Sequence, residues 1–167
     1  MDVTGVLADG FGRLPGSIEA AVRDLTPSRL GWAPKPGANP IGWLVWHLTR
    51  VQDSHVTEIT GGEQIYVTGD WAARFGLKAD PSDTGYGHTA EQVAGVRPES
   101  WQTLVEYYGA VHDRTTRLLE SLTPADLDRI VDPAWDPPVT LGVRLVSVLD
   151  DDVRHAGQAA YVRGLLP

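Results

Sequence analysis

The stretch Pro40-Ile-Gly-Trp-Leu-Val-Trp-His47-Leu-Thr-Arg50-Val-Gln-Asp53-Ser-His55-Val-Thr-Glu-Ile59 decides the fold class. Leu44, Leu48 and Val51 recur at four- and three-residue spacing, with Trp43 and Trp46 beside them. That is the period of a helix and not of a strand. Asn39 is a good N-cap residue, Pro40 suits the first helical position, and Gly61-Gly62 supplies the stop.

The same period recurs on either side. Val3 to Leu25 carries Val6, Leu7, Phe11, Leu14, Ile18, Ala21 and Val22, and Pro15 predicts a kink or break near Leu14. Thr26-Pro27 ends that segment. A third helix is expected from near Pro98 to Leu122, with the stripe Trp101, Leu104, Val105, Tyr108, Val111, His112, Thr115 and Leu118–Leu119. A short helical turn follows at Pro124–Asp128. The fourth helix begins after Thr140, with the seam Leu145, Val148, Leu149, Asp152, His155, Ala156, Ala159 and Val162. Strand-like alternation is scarce. Four long helices in an all-α domain spanning residues 1–167 are the simplest parse.

Residues 60–97 separate the second and third helices, a connection far longer than the usual bundle loop of about 2–8 residues. Such a connection crosses a bundle and lets the helices it joins run parallel. With Tyr66, Trp71, Phe75 and Tyr86 it is either one wall of a pocket or a surface loop with a short helix around Asp70–Gly76.

Charge and composition exclude several roles. With 14 Lys plus Arg against 22 Asp plus Glu, the net charge is −8. An acidic chain lacks the cationic surface that grips nucleic acid or anionic lipid. No run of about 18 apolar residues and no secretion signal is present, so a cytoplasmic location is expected. There is no Cys. Any metal must be held by His and carboxylates, and any thiol chemistry must use a small molecule.

Two places break the helical pattern. His47 lies inside an apolar stripe, where both ring nitrogens need partners, and His55 follows two turns later on the same face. Asp150-Asp151-Asp152 sits in mid-helix, where Asp is a poor helix former and far from the favourable end of the dipole. Asp151 and His155 are four residues apart and share a face, so a carboxylate and an imidazole can chelate one ion. The plainer readings are a hydrogen-bonded core His and an ordinary Asp–His pair. Taken together, His47, Asp151 and His155 make a two-His, one-carboxylate set that leaves an open metal position.

Gly42-Trp-Leu-Val-Trp-His47-Leu-Thr-Arg-Val-Gln-Asp53 resembles the second-helix motif of the DinB-like superfamily, and Leu149-Asp-Asp-Asp-Val-Arg-His155-Ala-Gly-Gln158 resembles its fourth-helix motif. The branch most alike holds the metal-binding domain of mycothiol-dependent maleylpyruvate isomerase, where Glu stands at the position of Asp151. The resemblance implies a four-helix bundle of up-down-down-up topology. It also implies a divalent metal, zinc or nickel, on His47, Asp151 and His155, and a low-molecular-weight thiol of the mycothiol or bacillithiol type as cofactor. The chain stops at Pro167, before the isomerase's additional C-terminal domain, which points away from that specific activity.

On this reading the metal activates a thiol or water as nucleophile in an S-transferase or isomerase. His55 and Asp152 are the candidate catalytic bases or orienters. Arg50 and Arg154 are candidates to receive a cofactor carboxylate. Trp43, Trp46, Tyr108 and His112 are either pocket wall or core. A small-molecule substrate and a homodimer are the expected partners. The alternative function is a non-catalytic metal- or ligand-binding stress-response bundle.

Overall fold

A computed structural model describes residues 2–167 and is mainly helical. Helix α1 (Val3–Gly12) starts at Asp2, whose carboxylate accepts from the Gly5 N–H. It breaks at Arg13, and α2 (Leu14–Val22) carries Pro15 in its first turn. Proline brings no N–H to the helical ladder, so the expected break falls there. Thr26 does more than end the segment: it caps the single turn α3 (Pro27–Leu30) by accepting from Arg29.

Helix α4 (Ile41–Thr60) begins one residue later than the sequence suggests. Pro40 is its N-cap, in extended conformation, and the Asn39 side chain does not cap it. The helix ends at Gly61, whose φ of 77° lies in the left-handed region. Within the long connection lie a 3-10 turn at Ile65–Val67, α5 (Trp71–Arg74) and α6 (Ala90–Gly95). Helix α7 (Trp101–Ser121) starts where the Ser100 hydroxyl accepts from Thr103, and α8 (Leu141–Gly164) where the Thr140 hydroxyl accepts from Val143. Between them, Pro124–Asp128 forms a 3-10 turn, and β1 (Ile130–Asp132) pairs antiparallel with β2 (Val139–Thr140). This hairpin was not anticipated; its strands are too short to carry an alternating pattern.

The long helices enclose one core. Helices α2 and α4 each lie against both α7 and α8. Gly42 fits under Pro98, where an added Cβ would come within 2.9 Å of Pro98 Cγ, Arg50 meets Tyr107, and Arg114 meets Thr57, so α4 and α7 ascend together. His47 faces His155 and His55 meets Arg144, so α4 and α8 run oppositely. Gly10 abuts Leu149, and Arg163 donates to the carbonyls of Ala21 and Arg23, so the α1–α2 segment runs along α8. No helix among the described residues is long and apolar enough to cross a membrane.

Helix α4 is buried on nearly every side, including two charges, Arg50 and Asp53. All five Arg50 donors are engaged. Nε donates to the Asp83 carbonyl at 3.0 Å; Nη2 donates to Gln64 Oε1 at 2.7 Å and to the Pro81 carbonyl at 3.1 Å; Nη1 donates to Tyr107 Oη at 3.3 Å and Asp53 Oδ2 at 3.5 Å. The Asp53 carboxylate accepts from the Tyr66 and Ile65 N–H groups at 2.8 and 3.0 Å and from Tyr107 Oη at 2.9 Å. The pair thereby straps the connection onto α4. Breaking a buried pair leaves an uncompensated charge and costs about 3–5 kcal/mol. Asp53→Ala is therefore expected to lower stability by about that amount in urea denaturation, with the m-value unchanged. A loss below about 1 kcal/mol would show that the strap contributes little.

Candidate metal centre

The site lies between α4 and α8, under residues 83–88 of the connection. His47 is 6% exposed, and Asp151 and His155 are half-buried. One potential ligand atom from each lies within 4.8 Å of the other two. His47 Nδ1 donates to the Thr84 carbonyl, and His155 Nδ1 donates to Gln158 Oε1 at 2.8 Å. Both imidazoles therefore keep their Nε2 lone pair for something else. His155 Nε2 is 3.5 Å from Asp151 Oδ1, and the other Asp151 oxygen is buried with no partner. Two donors on one tetrahedral zinc are about 3.4 Å apart, from bond lengths of about 2.0–2.1 Å. The residues fit a divalent ion: two imidazoles oriented through their Nδ1 bonds, one carboxylate, and an orphaned buried oxygen that an ion would satisfy.

The electrostatics follow from position. Burial pushes the His47 pKa down, which keeps the ring neutral. The Asp151 carboxylate pushes the His155 pKa up, as expected of an imidazole that rests on an anion until a cation replaces its proton. Trp43 stacks on the His47 ring at 4.6 Å and meets His155 edge-on at 6.4 Å, so an indole excludes water from one side. Gly85 closes another side. Its φ is +88°, and an added Cβ would come within 2.9 Å of both His47 Nδ1 and Trp46 Cζ3.

The other expected site residues are placed elsewhere. Arg50 requires a correction: its five donors are spent on the protein, so it has none for a cofactor carboxylate. Arg154 points to solvent and pairs with Asp150 at 3.0 Å. His55 stands eight residues from His47, about 12 Å along the helix axis. There it is held by Arg144 Nη1 at 2.6 Å and Glu58 at 3.2 Å. Asp152 faces the core, fully buried, with neither oxygen bonded. Trp46 and Tyr108 are core, whereas Trp43, also buried, forms one wall of the site. Thr84, Gly85, Gln158 and His88 were not singled out as site residues. His88 Nε2 donates to Asp83 at 2.8 Å while its Nδ1 accepts from Trp43 at 3.2 Å. The hint was the glycine pair in Thr84-Gly-Tyr-Gly87, which permits a close turn.

The sequence model of the DinB superfamily matches residues 11–159, and the chain belongs to that superfamily. Among solved structures it is similar to a conserved protein from Enterococcus faecalis, at 30% identity and a TM-score of 0.90, covering 99% of this chain and 98% of that one. No curated protein matches. The superfamily match and the two-His, one-carboxylate cluster agree on a possible metal site.

Burial raises the Asp152 pKa well above 3.8, and the neighbouring Asp151 charge adds to it. The folded state thus holds a proton that the unfolded chain releases above pH 3.8. The stability this group contributes is present below that pH and is lost as pH rises toward the raised value, by about 1.4 kcal/mol per unit. In metal-free protein Asp152→Asn is expected to raise Tm at pH 8 by about 3–6 °C, with the gain shrinking toward pH 4. A loss of Tm that is equal at both pH values would contradict this assignment.

Proposed function

We propose that this chain holds one divalent ion, zinc or nickel, on His47 Nε2, Asp151 and His155 Nε2, and that it is a metal-dependent enzyme acting with a low-molecular-weight thiol. The observation that carries the reading is the matched pair of Nδ1 hydrogen bonds, His47 to Thr84 and His155 to Gln158, which leaves both Nε2 atoms available in a cluster whose ligand atoms lie within 4.8 Å of one another. When bound, the metal supplies Lewis-acid activation of a small thiol or water.

The protein's own part is to position and to exclude. Thr84 and Gln158 fix the two tautomers, Trp43 and Gly85 keep water off His47, and three protein ligands leave room for an incoming group. The reaction class is an S-transfer or isomerisation of the mycothiol or bacillithiol type. With no Cys in the chain, the thiol of such a reaction would be an external one. The registers of α1–α2, α4, α7 and α8 support an up-down-down-up four-helix bundle for this scaffold.

A second reading, a metal-binding bundle without turnover, is favoured by one observation. His55 is tied to Arg144 and Asp152 faces the core, so neither expected base joins the three ligands. Elemental analysis of protein purified without a metal column tests the shared claim. About one equivalent of zinc or nickel is expected, with a Tm that falls on chelation. His47→Ala should retain less than about a tenth of an equivalent. A wild-type protein with equally little metal and a chelator-insensitive Tm would sink the metal centre. Turnover of an electrophile with mycothiol or bacillithiol, lost in His47→Ala, selects the enzyme over the second reading.

A further inference from the structure

A cavity of about 610 Å³ lies outside the metal centre, between the turn at residues 31–40 and the segment at 88–94. We propose that it binds a small organic anion: an apolar aliphatic or aromatic body with a single carboxylate-like end seated at Lys35. Its volume falls in the range of about 300–1,000 Å³ typical of small-molecule sites. One wall is Pro34, Pro36 and Pro40, whose rings fix φ, with Gly37 turning the chain at φ +80°. The facing wall is α6, carrying Val93 and locked at its start by the Thr89–Gln92 capping box. Both walls are preorganised, so a ligand loses little affinity to ordering them.

Charge selects the ligand. In a chain of net charge −8 with only two lysines, Lys35 and Lys78, this cavity is lined by Lys35 and by no carboxylate. Lys35 has no ion-pair partner among the described residues. The remaining lining is Ala, Pro, Gly and Val, with Asn39 as a neutral polar group. His88 also lines the cavity but offers only its ring, because its nitrogens are taken by Asp83 and Trp43. That ring stacks on Trp46 at 5.6 Å and bonds Trp43, which in turn stacks on His47. Two aromatic rings, His88 and Trp43, therefore link this cavity to the candidate metal ligand His47.

The test uses 4-phenylbutyrate as the anionic probe and 4-phenylbutan-1-ol as its neutral counterpart, followed by amide and indole NMR on the full chain. Saturable shifts are expected in residues 31–40 and 88–94 and at the Trp43 indole N–H. The alcohol, and 4-phenylbutyrate on Lys35→Gln, should each bind about threefold to fivefold more weakly, as for a partly exposed ion pair. Ala94→Trp, on the exposed side of α6, should fill the cavity and abolish the shifts while the spectrum stays dispersed. Binding should persist after chelator treatment, so a failure of the metal centre leaves this site standing. Shifts centred elsewhere, equal affinity for the alcohol, or none up to about 10 mM probe would overturn the proposal.

Discussion

The Arg50–Asp53 pair in the middle of α4 is the constraint on which the rest of the molecule turns. Desolvating a guanidinium and a carboxylate costs several kcal/mol per ion, and such a cost is offset only when every donor and lone pair is used. Here it is offset by the chain between α4 and α7. The carbonyls of Pro81 and Asp83, the side chain of Gln64 and the N–H groups of Ile65 and Tyr66 all close on these two residues. Tyr66 also lies under the Arg50 guanidinium, 4.1 Å from its ring centre. A long connection that would otherwise be a free surface loop is thereby fixed along one helix.

That fixation reaches the candidate metal centre within a residue. Asp83 is held by Arg50, and the next carbonyl, Thr84, accepts from His47 Nδ1. Gly85 then passes so close to the imidazole that no side chain fits. The loop thus sets the tautomer and the ring plane of one ligand, while Gln158 does the same for His155 from within α8. The arrangement carries a stability cost, because Asp152 is buried behind Asp151 with no partner for either oxygen. Residues 150–152 divide accordingly: one carboxylate in solvent with Arg154, one at the site, one in the core.

Much of this was legible in the sequence, for physical reasons. The four periodic segments were readable because amphipathic helices advertise their buried faces; Pro15 and Gly61 marked boundaries through backbone geometry, and Thr140 through the hydroxyl that caps the next helix. The cluster of His47, Asp151 and His155 was suggested by residues that violate those faces. Arg50 was misread because a charge next to a site motif looks the same whether it faces a ligand or backbone carbonyls 31 and 33 residues away. Thr84 was invisible because it acts through its carbonyl, which has no sequence signature. The short hairpin at Ile130–Thr140 has too few residues to show a period.

The central claim is that the strapped connection presets His47 so that three side chains converge on one ion through Nε2, carboxylate and Nε2. Anomalous diffraction at the zinc edge, from crystals of metal-loaded protein, tests it most directly. The account predicts a single peak about 2.0–2.2 Å from His47 Nε2, His155 Nε2 and an Asp151 oxygen, with both Nδ1 bonds retained. A peak bound through either Nδ1, or one that engages His55, His88 or Asp152 in place of these ligands, would contradict it.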